Sequence, residues 1–551
     1  MAEEFQEELK KYYHQEEEEI AQKLAQKLKL KYFNLFLTKV SPEALSLIPE
    51  EDAQKLKLIA IDKKGNFLTL GAYNPTNKEV QDYLATLKNK GWQIDLGVIS
   101  LSSFLKAFQE YKYIQKKKIR YTEVLELDVE AVNKIAQSLN KKEDINLLIK
   151  QAEKQNPFEI INYIFGGALR FRASDIHLEP TADLVVVRLR IDGILYDVAE
   201  FSLSLYPLIK NRIKFFAGLL LNITTHPQDG RFSINLSGKE LEIRVSTVPT
   251  AYGETIVMRI LDIATILLDL KDLGLRDDNL ETLNYYIQLP NGLILNTGPT
   301  GSGKTTTLYS ILNTIKKPEI KIITIEDPIE YKIPGITQTQ VNPRENYTFA
   351  NGLRAILRQD PDVILVGEIR DSETANIAIH ASLTGHLVLS TLHTNDSLGA
   401  VPRLIDLGIE KSLLPSALRL VIAQRLVRRV CQNCGVEYQP DSALKELIEK
   451  KLKTIPAYLK EKLSFQKLTL VKAQGCDQCL MTGYQGRIGI FEFLRITEEI
   501  GKIIYQLPTE EKILAQATKE GFVDLQQDGL LKALAKLTTL EEVIRITGPL
   551  V

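Results

Sequence analysis

Cysteine is scarce in this chain. There are four among 551 residues, and they fall in two pairs, Cys431-x-x-Cys434 and Cys476-x-x-Cys479. That usage excludes a disulfide-stapled secreted scaffold. Two CxxC knuckles are instead a tetrathiolate zinc pattern, although the gap of about forty residues is wider than in compact zinc ribbons. Long apolar runs are also missing. FFAGLLLNI (215–223) is far below the ~20 residues that span a bilayer. Neither charge dominates: 69 Lys+Arg against 70 Asp+Glu leave a net −1, so no global basic field advertises nucleic acid. The opening MAEEFQEELKKYYHQEEEEI is acidic where a secretory leader is basic and then apolar, so a cytosolic protein is expected.

Histidine is scarce too, six in all, yet two lie close together in GHLVLSTLHTND, His386 and His393. The β-branched and apolar residues between them read as a buried strand. On a strand the two rings stand roughly 23 Å apart; on a helix they are still about 10 Å apart. Neither spacing lets them share one ion.

The length suggests about three or four domains. Residues 1–30 read as a charged helical arm, and 31–125 as a small α/β domain. In that domain KLKLIAIDKKGNFLTLGAYNP gives two strands around a Lys64-Gly65-Asn66 turn. The lysine run 112–120 is expected to be a solvated face; anionic-lipid or cyclic-dinucleotide binding has no further support. Residues 126–155 read as a linker helix. Across 156–269, DLVVVRLRIDG and LEIRVSTVP alternate arginine with apolar residues, which predicts a half-exposed sheet with one cationic face. Residues 270–430 repeat strand–helix units whose strands (GLILNTG, IKIITIEDP, DVILVGE, HLVLSTLH) are apolar on both faces, the signature of a parallel sheet. The cysteine segment 431–497 and a helical region 498–551 follow. No internal repeat is visible.

LILNTGPTGSGKTTTLYSIL places a glycine-rich turn between a strand and a helix, and Gly298-x-x-x-x-Gly303-Lys304-Thr305 matches the P-loop in the context that motif requires. The loop Gly298, Pro299, Thr300, Gly301, Ser302 and Gly303 through Thr306 is expected to cradle ATP phosphates at the helix N-terminus, with the backbone N–H groups of its non-proline residues. Lys304 would reach the β- and γ-phosphates, and Thr305 would bind Mg²⁺. A P-loop also needs acids. Glu326-Asp327 in TIEDPIE and Glu368 in DPDVILVGEIRD stand at strand ends. Glu368, a glutamate after Gly367, suits a water-mediated contact to Mg²⁺, which leaves Glu326 as the expected general base. The bland alternative is that such carboxylates cap the following helix.

GPTGSGKTTTLY, TIEDPIE, RAILRQDPDVILVGEIRD and GHLVLSTLHTNDS together resemble the ATPases of type II secretion and type IV pili. ASDIHLEP (173–180), RLRIDG (188–193) and PQDGR (227–231) are similar to that family's second N-terminal, PAS-like domain. QRLVRRVCQNC and CDQC…GYQGRIGIFE resemble its zinc-bearing segment in the assembly or export branch. The likeness is dense over roughly 157–500 and only general over 32–110. It implies an α/β chain: a RecA-like P-loop ATPase domain, with helices on both faces of a parallel sheet, preceded by two smaller α/β domains and followed by a zinc segment and helical tail. It implies a cytoplasmic homo-hexamer at the inner face of the inner membrane, acting with other cytoplasmic assembly proteins. Hydrolysis would drive a platform protein, and association with the membrane would run through such partners. No nucleic acid is expected.

Residue roles follow from the same resemblance. Lys304 and Thr305 belong to Walker A, Glu326 is the catalytic glutamate, and Glu368 is the Walker B acid. His393 and His386 belong to a histidine box, and Asp327 and Glu330 lie in the acid segment. Arg231, Arg244 and Arg259 are candidates to neutralise transition-state charge. Arg188 and Arg190, on the other cationic strand, suit salt bridges as well. A structural Zn²⁺ on Cys431, Cys434, Cys476 and Cys479 would have its charge offset by Arg428, Arg429 and Arg487. Presence of the first N-terminal domain and the cysteines favours extension or export over a retraction motor. The main expectation is pilus assembly, with type II secretion the alternative. A nucleic-acid translocase and a scaffold with a decayed site are the more distant readings.

Overall fold

The computed structural model describes residues 16–38, 40–45, 47–64, 67–89, 91–111, 129–139, 141–236, 239–262, 268–461, 468–506 and 508–550. The first half of the arm, the Gly65-Asn66 turn and the lysine run 112–120 lie outside them. The chain divides into two units, Met1–Glu126 and Leu127–Val551.

In the first unit, strands β1 (Lys31–Tyr32), β2 (Leu58–Lys64), β3 (Phe67–Ala72) and β4 (Gln93–Val98) form one sheet in the order β1-β4-β3-β2. β2 and β3 are antiparallel, as the sequence suggested, and β3 and β4 are parallel. The described part of the arm, a helix over 16–28, is not a free appendage. Ala21 and Ala25 are buried against Val98, and Glu18 accepts from the hydroxyls of Ser100 (2.5 Å) and Ser103 (2.7 Å). Two alanines at i, i+4 suffice to make one helix stripe that packs.

In the second unit the expected linker helix is two helices, Val129–Ser138 and Glu143–Gln155. They are part of a core rather than a spacer: Val132, Ile145, Ile149 and Ala152 are buried in the cluster that holds helix Ile160–Arg170. That cluster lies on a six-stranded antiparallel sheet of β5 (Ala173–Pro180), β6 (Leu184–Ile191), β7 (Ile194–Ser202), β8 (Gln228–Leu236), β9 (Lys239–Thr250) and β10 (Gly253–Asp262), in the order β7-β6-β5-β10-β9-β8. Strict alternation of burial along β6 leaves its arginines on the open face.

The P-loop sheet comprises β11 (Gly292–Thr297), β12 (Ile322–Glu326), β13 (Thr337–Gln340), β14 (Val363–Val366), β15 (Leu387–Leu392), β16 (Leu418–Val430) and β19 (Tyr484–Arg495), in the order β13-β12-β14-β15-β11-β16-β19. β11, β12, β14 and β15 are buried along their whole length, the reason they read as continuous apolar runs. The sheet is parallel except at one edge, where β19 runs antiparallel to β16 over almost its full length. A strand from the expected cysteine segment therefore belongs to the ATPase core. Between them, β17 (Gly435–Tyr438) and β18 (Leu470–Ala473) form a separate ribbon.

The helical region splits likewise. Helices Glu498–Gln506 and Glu510–Lys519 place Ile500, Ile504 and Ile513 in the ATPase core. Leu530 and Val543, from helices Leu525–Leu534 and Leu540–Thr547, pack with Ile448 and Leu470 of the cysteine segment.

Candidate functional site

β11 ends at Thr297, and the chain turns into helix Lys304–Ile315 through the glycine-rich loop. Gly298 (φ 144°) and Gly303 (φ 90°) adopt backbone that L-residues avoid. A Cβ on either would also strike Gln424, at 2.6 Å from its carbonyl oxygen and 2.8 Å from Nε2 respectively. Lys304 Nζ donates to the carbonyls of Gly298 (2.8 Å) and Pro299 (3.0 Å), so the ammonium stands inside the loop. Burial, and then the neighbouring Arg425 charge, lower its pKa against the opposing effect of Glu368. The Ser302 hydroxyl is buried without a partner, Pro299 and Thr300 form an exposed rim, and Thr305 is exposed at the helix start. An anion with several oxygens fits such a cradle.

The two acid segments differ sharply. Glu368, after β14, is held between Arg370 (2.7 Å) and Nε2 of His393 (3.3 Å). His393 therefore stands just beyond the last residue of β15, against Glu368. His386 lies before the opposite end of that strand, with Nδ1 3.1 Å from the Ala381 carbonyl. The pair is split as expected.

Glu326, the expected general base, is enclosed. It is the last residue of β12 and its side chain is buried, taking hydrogen bonds from Tyr309, Thr324 (2.5 Å) and Gln338 (3.2 Å). Burial, and then the Glu326 charge, drive the Tyr309 phenol far above its usual range. A carboxylate with its lone pairs so engaged does not face an attacking water. Asp327 is exposed, and Glu330, three residues on, is 31% exposed and lies 2.7 Å from Arg244 Nη1.

The candidate arginines share one row. Arg231 on β8 and Arg259 on β10 both pair in register with Arg244 on β9, which puts all three on one face of the sheet. Beyond them the row continues through Asp175 to Arg190. Their fates differ. Arg244 reaches the ATPase part of the chain, through Glu330 and the Ile329 carbonyl (3.0 Å). Arg259 and Arg190 grip the two oxygens of Asp175, at 2.9 and 3.3 Å. Arg188 pairs with Glu179 and Asp197, as a structural arginine would. Arg231 is 73% exposed, with Glu242 at 3.9 Å, and among the described residues no ion pair joins it to the P-loop acids.

The sequence reading missed two residues of β16. Gln424 is buried; its Oε1 accepts from Asn296 (3.0 Å) and Thr307 (2.8 Å), tying the P-loop strand to the P-loop helix. Arg425 beside it is the second cation of the loop, with Nη1 2.9 Å from the Cβ position of Gly298. The only signal was QRLV immediately before the paired arginines.

A family model described as "Type II/IV secretion system protein" matches residues 150–545. This chain belongs to that family. Secretion-family relatives include a Pseudomonas aeruginosa "Type II secretion system protein E", 46% identical over 400 residues, covering 73% of this chain and 77% of the relative. A Vibrio cholerae "Type II secretion system ATPase E" is 39% identical over 506 residues, 92% of this chain and 97% of the relative. Among solved structures, the Legionella pneumophila ATPase DotB superposes with a TM-score of 0.52 at 22% identity, covering 70% of this chain and 94% of that one, a likeness of fold. With its complete P-loop, this member of the secretion family is an enzyme that hydrolyses ATP.

The four cysteines of this secretion ATPase also come together. Their Sγ atoms lie within 4.8 Å of one another, with Cys431–Cys476 at 3.9 Å, Cys434–Cys479 at 3.6 Å and Cys476–Cys479 at 3.7 Å. A tetrahedron with Zn–S of about 2.3 Å has S···S edges of about 3.8 Å, so the donors stand near the spacing that Zn²⁺ needs. Backbone N–H groups of Cys476 and Gly483 point at Cys479 Sγ, at 3.1 and 3.2 Å. Arg428 does not offset this site. Its guanidinium is committed to Glu542 (2.5 Å) and stacks 3.8 Å from the Tyr484 ring centroid.

Proposed function

We propose that this chain is the hexameric cytoplasmic motor ATPase of a type II secretion machine, converting ATP hydrolysis into pseudopilus growth through an inner-membrane platform protein. The observation that carries the proposal is the Vibrio relative, alike over 92% of this chain and therefore through the first unit as well as the ATPase. It favours export over the pilus assembly that the motifs alone led us to expect, because both branches share those motifs.

In the hydrolytic step Lys304 and the P-loop N–H groups hold the phosphates, and the exposed Thr305 with Glu368 would hold Mg²⁺, which supplies charge neutralisation across the phosphate oxygens. Glu330, rather than the enclosed Glu326, takes the proton of the attacking water. Arg244 pairs with that carboxylate at 2.7 Å and adds positive charge beside the transferring phosphoryl group. His393 reads the phosphate through Glu368. Arg231 would serve across a subunit interface. The cysteine module holds a structural Zn²⁺, since closed tetrathiolate coordination leaves no position for water.

Deleting the gene in its host separates the two machines. Loss of extracellular enzymes with surface pili retained is the expected result, whereas loss of pili with secretion retained would overturn the export reading. Lys304→Ala supplied in trans should restore neither secretion nor ATPase activity.

A further inference from the structure

The residues that follow β15, His393 to Gly399, form the loop that presents His393 to Glu368, and this loop is pinned from three directions. Thr297, the last residue before the P-loop, donates to the Asp396 carbonyl at 3.3 Å. Arg425 Nη2 donates to the Asn395 carbonyl at 2.5 Å, while its Nη1 donates to the Gln424 carbonyl at 3.0 Å. Glu492 on β19 accepts from both the backbone N–H (2.8 Å) and the hydroxyl (2.5 Å) of Ser397. These anchors come from β11, β16 and β19, so the loop is set by strands remote from it in sequence.

Glu492 divides its two oxygens. Oε1 serves Ser397, and Oε2 accepts from the N–H of Leu525 at 3.2 Å, the first residue of the ten-residue helix Leu525–Leu534. One buried carboxylate thus joins the loop that carries His393 to the helical tail. The same helix is fastened to the neighbouring residue of β19, where Asp528 accepts from the N–H of Phe491 at 2.8 Å. A hydrogen bond to a buried carboxyl group is directional, and it cannot be given up to water at this site. Displacing the tail relative to β19 therefore moves Ser397, and with it the ring of His393.

We infer that Arg425 and Glu492 are positioning residues for hydrolysis, which clamp the His393 loop against the P-loop and make its register depend on the seating of helix Leu525–Leu534. The inference rests on the role of His393 in the site proposed above. Arg425 donates to the carbonyls of Gln424 and Asn395, and Glu492 accepts from Ser397 and Leu525, so both act through the loop backbone. A purely structural role would lower stability and nucleotide binding together. A positioning role lowers turnover alone and depends on His393.

The test uses the full chain, purified and zinc-loaded, with steady-state ATPase assays, binding of a fluorescent ATP analogue and thermal melts. Ser397→Ala removes one donor to Glu492; Arg425→Gln removes the cation while keeping an amide donor. Each is expected to lower kcat roughly five- to fifty-fold, with nucleotide Kd within about twofold and Tm within a few degrees. Combined with His393→Ala, which should itself reduce kcat, neither should lower kcat further. Unchanged kcat in Ser397→Ala and Arg425→Gln, or losses that multiply with that of His393→Ala, would overturn the clamp. So would a fall in nucleotide affinity that accounts for the lost rate. If Arg425→Gln fails to fold, Ser397→Ala and the near-isosteric Glu492→Gln decide the question. Full activity in His393→Ala alone would instead remove His393 from the proposed site, a separately readable result.

Discussion

Arg244 on β9 and Glu330 beyond β12 meet at 2.7 Å, and their contact joins the six-stranded sheet to the acid segment of the ATPase within one chain. Arg244 also donates to the Ile329 carbonyl, so its guanidinium is oriented as well as paired. Arg244→Ala is therefore expected to lower kcat by on the order of 10²-fold, the usual cost of removing a fixed transition-state cation, while changing KM for ATP by only a few-fold. Arg231→Ala should behave differently. Its side chain is exposed here, so its loss should matter only at concentrations where subunits assemble, which a rate-against-concentration series would reveal. Equal defects at all concentrations would place Arg231 inside the single-chain site.

Glu326 and Glu330 separate by substitution. Glu330→Gln should cut kcat by about 10²- to 10⁴-fold, as loss of a general base does, with little effect on melting. Glu326→Gln replaces an acceptor by an amide whose N–H₂ must face one of the donors Tyr309, Thr324 or Gln338. A buried donor left unsatisfied costs about 1–3 kcal/mol, so this variant should melt lower and lose activity through instability. Full stability with a greater loss of kcat in Glu326→Gln than in Glu330→Gln would return the base to Glu326.

These two glutamates mark the limit of what is legible in the sequence. Short contiguous stretches carried their own chemistry: GPTGSGKT read as a phosphate cradle, CxxC as a metal knuckle, and the seven-residue spacing of His386 and His393 as two separate positions. Which of Glu326 and Glu330 faces the nucleotide depends on where β12 stops and what its last side chain meets. Tyr309 and Gln338, which enclose Glu326, come from other elements. Arg244 and Ile329 lie 85 positions apart, and Ser397 and Glu492 lie 95 apart; no local pattern announces either pairing. The two helices read as a linker did carry a signal, since Ile145, Ile149 and Ala152 recur at helical spacing, but three apolar residues among many charges do not say what they pack against.

Zinc should be found at one ion per chain in protein purified without chelator, and its removal should loosen the β17–β18 ribbon before it affects chemistry. The four thiols stand at tetrahedral spacing with no open position, and binding at such a site supplies on the order of 10 kcal/mol to local folding. Cys434→Ser or chelation should therefore increase proteolysis within 431–483, with nucleotide binding retained. Metal analysis finding no zinc, or an apo-protein with unchanged protection there, would remove the site.

Glu542 ties helix Leu540–Thr547 to β16 through Arg428 (2.5 Å) and to Arg545 (2.7 Å). Burial alone would raise its pKa, but the bonds from Arg545 and Arg428 outweigh that and hold it at about 2, below the usual carboxylate value of 4.5. Because the folded-state pKa is depressed, the folded state binds fewer protons between those two values. The stabilisation is thus complete above about pH 4.5 and is lost as pH falls through about 2. Its size at neutral pH is on the order of 3 kcal/mol at most, since each tenfold change in proton affinity is worth about 1.36 kcal/mol. Solvent screening on the Arg545 side, where the guanidinium is partly exposed, lowers that ceiling. Glu542→Gln should accordingly lower the melting temperature at pH 7 and leave Arg428 with only the Tyr484 ring beneath it. The difference from the unmodified chain should narrow as pH falls below about 4.5, because protonation then removes the same charge from both proteins. A melting-temperature difference that stays constant from pH 7 to pH 3 would mean that packing, and not the ion pairs, holds this helix to the strand.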